Sequence, residues 1–151
     1  MLIRPVTKEE RLQSAQLLTI ESGDLTISAA DDAIHCDYTL QIGAEGTDGP
    51  AISITDCDEG LEAAALHVAS GDIRIRASDD CLNAANSDLS GFDFSMDISG
   101  GTISAYMTDG DGFDSNGSMT ISGGTPPEKP DGGTPPERPD NASEPPEPGN
   151  L

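Results

Sequence analysis

Acidic residues recur along this 151-residue chain in a spacing that could bind cations. They stand as Asp31-Asp32, Asp58-Glu59 and Asp79-Asp80, and a fourth acidic turn carries Asp109, Asp111 and Asp114. Aligned on the second acid, the turns fall at Asp32, Glu59, Asp80 and Asp111, with steps of 27, 21 and 31 residues. Ligation by several carboxylate oxygens is the preference of calcium more than of magnesium, which keeps its waters.

Each acidic turn follows the same strand-like unit. Leu25 and Ile27 alternate with Thr26 and Ser28, and the pattern returns at Ile52/Ile54, Ile73/Ile75 and Ile103/Ala105. That alternation has the period of a β-strand. A third apolar set, Ile34, Leu61, Leu82 and Phe113, comes just after the acids. A further short strand follows in each unit at Thr39 to Ile42, Ala65 to Val68, Phe94 to Ile98 and Ser118 to Ile121, and Leu17, Leu18 and Ile20 read as part of an incomplete first coil. Between the strands lie turn formers such as Gly49-Pro50, Ser70-Gly71 and Ser99-Gly100-Gly101. No single coil of 20–30 residues can bury its apolar face, whereas stacked coils can. The pattern predicts an all-β parallel β-helix of about four coils, in which the three apolar sets form three inward columns. An antiparallel sandwich also uses short strands, but it leaves the fixed offset of the acids unexplained.

Stacking sharpens the reading of the acids. Equivalent residues of neighbouring coils lie about 4.8 Å apart, where two ionised carboxylates repel by roughly 3.5 kcal/mol at an effective dielectric near 20. Seven Lys plus Arg are too few to neutralise 28 acids. A bound cation relieves the repulsion; the alternative is acids fanned outward as a solvated edge. Zinc is disfavoured, since His35 and His67 do not cluster with a thiolate. The run Asp109 to Asp114 resembles the opening of an EF-hand loop, yet Phe113 and Asp114 occupy the places that need an oxygen ligand and a glycine. The expected metal ligands are Asp31, Asp32, Asp58, Glu59, Asp79, Asp80, Asp109, Asp111 and Asp114.

Composition bounds the rest. A net charge of -21 argues against nucleic acid and against an anionic membrane surface as partners. No run of about 20 apolar residues marks a transmembrane span. Residues 1–16 read as a leader, poorly ordered or holding a short helix at Lys8 to Leu18, with residues 17–124 as the solenoid. The start lacks the apolar core of a secretion signal, and the chain is expected to be a piece of a longer exported protein. From Gly123 the chain repeats GGTPPEKPD and GGTPPERPD, and residues 125–151 hold nine of the 11 prolines, as a disordered linker or stalk does. Cys36, Cys57 and Cys81 have no metal-type spacing; they are expected as small buried side chains, with a disulfide left open.

The segments LTISAADDAIHCD, ISITDCDEGLEA, IRIRASDDCLNAA and GTISAYMTDGDGFDSNGSMTISGGTPPE resemble the carbohydrate-binding calcium β-helix proteins of the surfaces of Gram-positive anaerobes. The resemblance covers about Leu17 to Pro127. It implies a right-handed, pectate-lyase-like parallel β-helix, calcium at the acidic turns, an extracellular or cell-surface location, and attachment to cellulose or acidic pectic polymer. The repeats here are uneven, Gly110 stands where an acid is expected, and family members are usually longer. The chain therefore reads as a non-catalytic polysaccharide-binding module, with Tyr38 and Tyr106 as the sugar platforms and Arg74 and Arg76 as outward basic contacts. The alternatives are a calcium-dependent polysaccharide lyase, which requires a base for proton abstraction, and a structural surface or adhesin module. Glycoside hydrolysis fits less well, because a column of similar acids is not one tuned pair.

Overall fold

The computed structural model describes residues 12–14 and 16–124; the expectations for residues 1–11 and for a disordered tail at 125–151 lie outside the described residues. Twelve strands run in the order β1 (Leu12–Ser14), β2 (Leu17–Ile20), β3 (Asp24–Ser28), β4 (Ile34–Ile42), β5 (Ala51–Asp56), β6 (Leu61–Val68), β7 (Asp72–Ala77), β8 (Leu82–Ala84), β9 (Ser95–Ile98), β10 (Thr102–Met107), β11 (Phe113–Ser115) and β12 (Ser118–Ile121). Every pairing is parallel. One four-stranded sheet stacks β3, β5, β7 and β10. The other stacks β1, β4, β6, β8 and β11, with β2 beside β4 and with β9 joining β6 to β12. The chain alternates between the two sheets and climbs one strand per circuit, which makes a β-solenoid of about four turns.

The inward columns are those the alternation predicts. Leu25, Ile52, Ile73 and Ile103 stand in one register; Ile27, Ile54, Ile75 and Ala105 in the next; and Ile34, Leu61, Leu82 and Phe113 in the third. Burial is nearly complete in the middle coils, where Leu61, Leu66, Ile73 and Leu82 are each 0% exposed. It falls in the last coil, where Ile121 is 60% exposed. The unequal steps between acidic turns arise at the corners. Residues 43–50 connect β4 to β5, residues 69–71 connect β6 to β7, and residues 85–94 are inserted between β8 and β9. Loops on a solenoid's surface tolerate such insertions, whereas the paired strands do not.

Two local features differ from the sequence reading. Leu12–Ser14 is a strand, in register with Ile34–Cys36, where a short helix is expected. Isolated helices of that length are marginal in water, and the open edge of β4 offers the backbone a complete set of hydrogen bonds. The last acidic turn also carries one residue more than the turn beneath it. Met107 is in register with Ala77, and Phe113 with Leu82, leaving four residues rather than three before the position under Cys81. The Asp109 amide donates to the Ser78 carbonyl, so Asp109 continues the flanking column and Gly110 is the inserted residue.

Core packing is dense enough that truncation costs more than the transfer of the lost atoms. Leu61→Ala should destabilise the fold by about 3 kcal/mol in urea unfolding. Thr26→Ala, on the outer face of β3, should stay within about 0.5 kcal/mol. Equal losses for the two variants would contradict the inward and outward assignment.

Candidate functional site

The acidic turns form one edge of the solenoid, and their backbones are themselves laddered. The Asp58 amide donates to the Asp31 carbonyl at 3.1 Å and the Asp79 amide to the Asp58 carbonyl at 3.0 Å. Ala33 donates to the Glu59 carbonyl, Gly60 to that of Asp80, and Cys81 to that of Asp111. Asp32, Glu59, Asp80 and Asp111 therefore share one column, and Asp31, Asp58, Asp79 and Asp109 flank it. The flanking acids are exposed, while Asp32, Glu59 and Asp80 are half-buried.

Between the first two coils the repulsion has an internal solution. His35 is the second residue of β4, next to inward Ile34, and so faces outward beside the acids. Its Nδ1 lies 3.1 Å from Asp32 Oδ2 and 2.8 Å from Glu62 Oε1, and its Nε2 lies 3.0 Å from Asp37 Oδ1. Both ring nitrogens face carboxylates, so both are donors and the ring is an imidazolium. Asp32, Glu62 and Asp37 raise its pKa from 6.5 to about 10 against the opposing effect of burial. Glu59 is pushed up from 4.5 to about 8, first by burial and then by its hydrogen bond with Glu62, while the Asn83 Nδ2 donor at 3.0 Å works in the other direction. Asn83 is buried, and its Oδ1 has no hydrogen-bond partner.

The upper turns are arranged differently. The Ser78 hydroxyl donates to Asp58 Oδ1 at 2.6 Å, and the Asp111 amide donates to Asp80 Oδ1 at 2.7 Å. Burial raises the Asp80 pKa in spite of that donor. A Cβ placed on Gly110 would strike the Asp79 backbone as well as Oδ1 of both Asp79 and Asp80. The two carboxylates thus converge over the one residue that has no side chain, a cradle of oxygens consistent with a hard cation. Asp114 stands one step along, in register with Asn83, and its Oδ1 accepts from the Ser115 amide.

The proposed sugar contacts separate onto two faces. Arg74 and Arg76 project from β7 on the outside of the four-stranded sheet, and they are the only Lys or Arg between Arg11 and Lys129. Arg74 pairs with Asp72 Oδ2 at 2.8 Å, and the Arg76 guanidinium lies 4.9 Å from the centre of the Tyr106 ring. With Ser53, Thr55 and Ser104 they line a shallow groove of about 480 Å³. Tyr38 does not join them. It belongs to β4 in the other sheet, where its ring meets Phe92 edge-on at 6.0 Å.

The three cysteines are buried and free, and burial raises the Cys57 thiol to about 12 and the Cys81 thiol above its ordinary range. His35, Glu62 and Asn83 are functional candidates that the sequence reading passed over. They follow Ile34, Leu61 and Leu82 by one residue, and reading one position beyond the third apolar column would have found them.

The signs of these shifts set a pH dependence. The His35 contribution is complete below its ordinary 6.5 and is lost as pH rises toward 10. Glu59 prefers its protonated form in the fold, so stability also falls as pH rises from 4.5 through 8. In metal-free buffer the melting temperature should be lower at pH 9 than at pH 5 by about 5 °C. A flat or rising profile would contradict the His35 and Glu59 assignments. Comparison with protein-family models, with curated proteins and with solved structures finds no match to this chain.

Proposed function

We propose that this protein is a non-catalytic module that binds a plant polysaccharide such as cellulose or a pectic polymer at the cell surface, with calcium rigidifying its acidic turns or bridging them to uronic carboxylates. The observation that carries the reading is the groove on the four-stranded sheet. There the only two guanidinium groups between residues 11 and 129 stand beside an exposed tyrosine and a row of hydroxyls. Guanidinium forks suit carboxylates bidentately, an aromatic face suits a sugar ring, and serine and threonine hydroxyls suit its hydroxyl groups. Residues two apart on one strand project from the same face about 6.8 Å apart, so Arg74 and Arg76 can contact neighbouring parts of one extended chain. A parallel sheet of fixed spacing holds these groups without an ordering cost at each binding event.

Catalysis is the weaker reading. A lyase needs a group that takes up a proton, and a guanidinium in a protein does not release its own to become that base. Arg74 is already paired with Asp72, and Arg76 lies over Tyr106.

For calcium, the fit rests on the Gly110 cradle, with Asp79, Asp80, Asp109 and Asp111 as the holding residues. A ligand bound by the folded state alone stabilises it. Calcium at a hundredfold excess over its Kd adds about 2.7 kcal/mol, so the melting temperature should rise by about 5–10 °C and return on chelation. Gly110→Ala should abolish that rise, because the added methyl displaces both carboxylates and the Asp79 backbone that carries one of them. Coincident melts of the natural chain with and without calcium would remove the metal from the account.

Polysaccharide binding is tested by electrophoresis through gels containing polygalacturonate. Retardation without growth of ultraviolet absorbance is the expected result. Arg74→Ala combined with Arg76→Ala should abolish retardation, and Tyr106→Ala should weaken it about tenfold, near the 1.4 kcal/mol typical of an aromatic contact. Absorbance growth would indicate a lyase instead, and absence of both responses would leave a structural module.

A further inference from the structure

The His35 cluster has a geometry that the calcium reading does not use. His35 Nδ1, Asp32 Oδ2 and Glu62 Oε1 converge on one point, with separations of 3.1 and 2.8 Å from the nitrogen and all three atoms within 4.8 Å of one another. A tetrahedral ion with bonds near 2.0 Å has ligands about 3.3 Å apart, so little movement separates the observed arrangement from a coordinated one. The other ring nitrogen already has the partner that a metal-bound histidine usually has: Nε2–H is 3.0 Å from the Asp37 carboxylate. A second observation is independent of these three ligands. Asn83, in register with Glu62 on the adjoining strand, is 7% exposed, and its Nδ2 donates to Glu59 Oε2 at 3.0 Å. Its Oδ1 nevertheless has no hydrogen-bond partner. A buried acceptor left empty is costly, and a metal ion or a metal-bound water would satisfy it.

We propose that Asp32, His35 and Glu62 form a site for a borderline divalent cation of the zinc class, with Asp37 fixing the imidazole and the buried, unpartnered Asn83 Oδ1 on the strand beside Glu62. One nitrogen and two carboxylate oxygens suit zinc better than calcium, which takes six to eight oxygens. Binding displaces the Nδ1 proton to solvent and keeps the Nε2 proton on Asp37. The site ties β4 to β6 across the first two coils, apart from the Gly110 cradle between the last two. Zinc in place of the imidazolium proton exchanges one positive charge for two at the point where the stacked acids are most buried.

The test is calorimetric titration of zinc chloride into the chelator-treated full-length chain. One ion per chain is expected, and cobalt(II) in its place should give the intense visible absorption of a four-coordinate ion. His35→Gln should weaken zinc binding at least about 100-fold. Asp37→Asn, which changes a half-exposed carboxylate and spares the ligands, should weaken it about tenfold, and this variant decides the matter where His35→Gln does not fold. Gly110→Ala should leave the zinc titration unchanged, while His35→Gln should leave the calcium melting shift unchanged, so the two sites fail separately. Absence of zinc binding in the natural chain, or equal binding by the natural chain, His35→Gln and Asp37→Asn, would overturn the proposal.

Discussion

Parallel stacking in register places like residue over like residue about 4.8 Å apart, and the rest of this structure follows from what each column does about it. For Leu25, Ile52 and Ile73 the consequence is favourable, because each coil covers the apolar face that its neighbour cannot bury alone. For Asp32, Glu59 and Asp80 the same register costs roughly 3.5 kcal/mol per ionised pair. The edge of the solenoid answers in two ways. Between the first coils a histidine beside the column, in register with Glu62, takes the carboxylates of Asp32, Asp37 and Glu62. Between the last coils the donors are a serine hydroxyl and a backbone amide, and Gly110 leaves room for two carboxylates to converge. A single geometric constraint therefore produces both the core and the charged edge.

Much of the architecture was legible in the sequence because strand alternation and repeat spacing are local signals. All three inward columns fall in the register that their alignment predicts, and the acids fall in the column that the offset implies. The rest depends on pairing that no short window contains. Leu12–Ser14 becomes a strand only because β4 offers an edge. Gly110 reads as a lost acid in sequence and proves to be an inserted residue in space, since Asp109 takes the flanking place. His35 has no thiolate at a metal-type spacing in sequence to suggest a metal, whereas its partners in space are the carboxylates of Asp32 and Glu62 from two coils. Tyr38 and Tyr106 look equivalent as isolated aromatics, yet they stand on different sheets.

Face and edge divide the labour in the account that emerges. The outer face of the four-stranded sheet carries Arg74, Arg76 and Tyr106 on adjacent strands, where the proposed polysaccharide would lie. The acidic edge lies at the ends of those strands and governs how firmly the coils hold together. Stability and recognition are thus assigned to different residues, and each can be altered while the other is observed.

The central claim is that positive charge must meet the acidic edge for the coils to stack, and His35, beside Asp32, supplies it between the first coils. Nitrogen-15 NMR of the imidazole in the metal-free protein tests this directly. The account predicts that both ring nitrogens remain protonated at pH 8, with a titration midpoint near 10. A midpoint near the ordinary 6.5, with a neutral ring at pH 8, would contradict it.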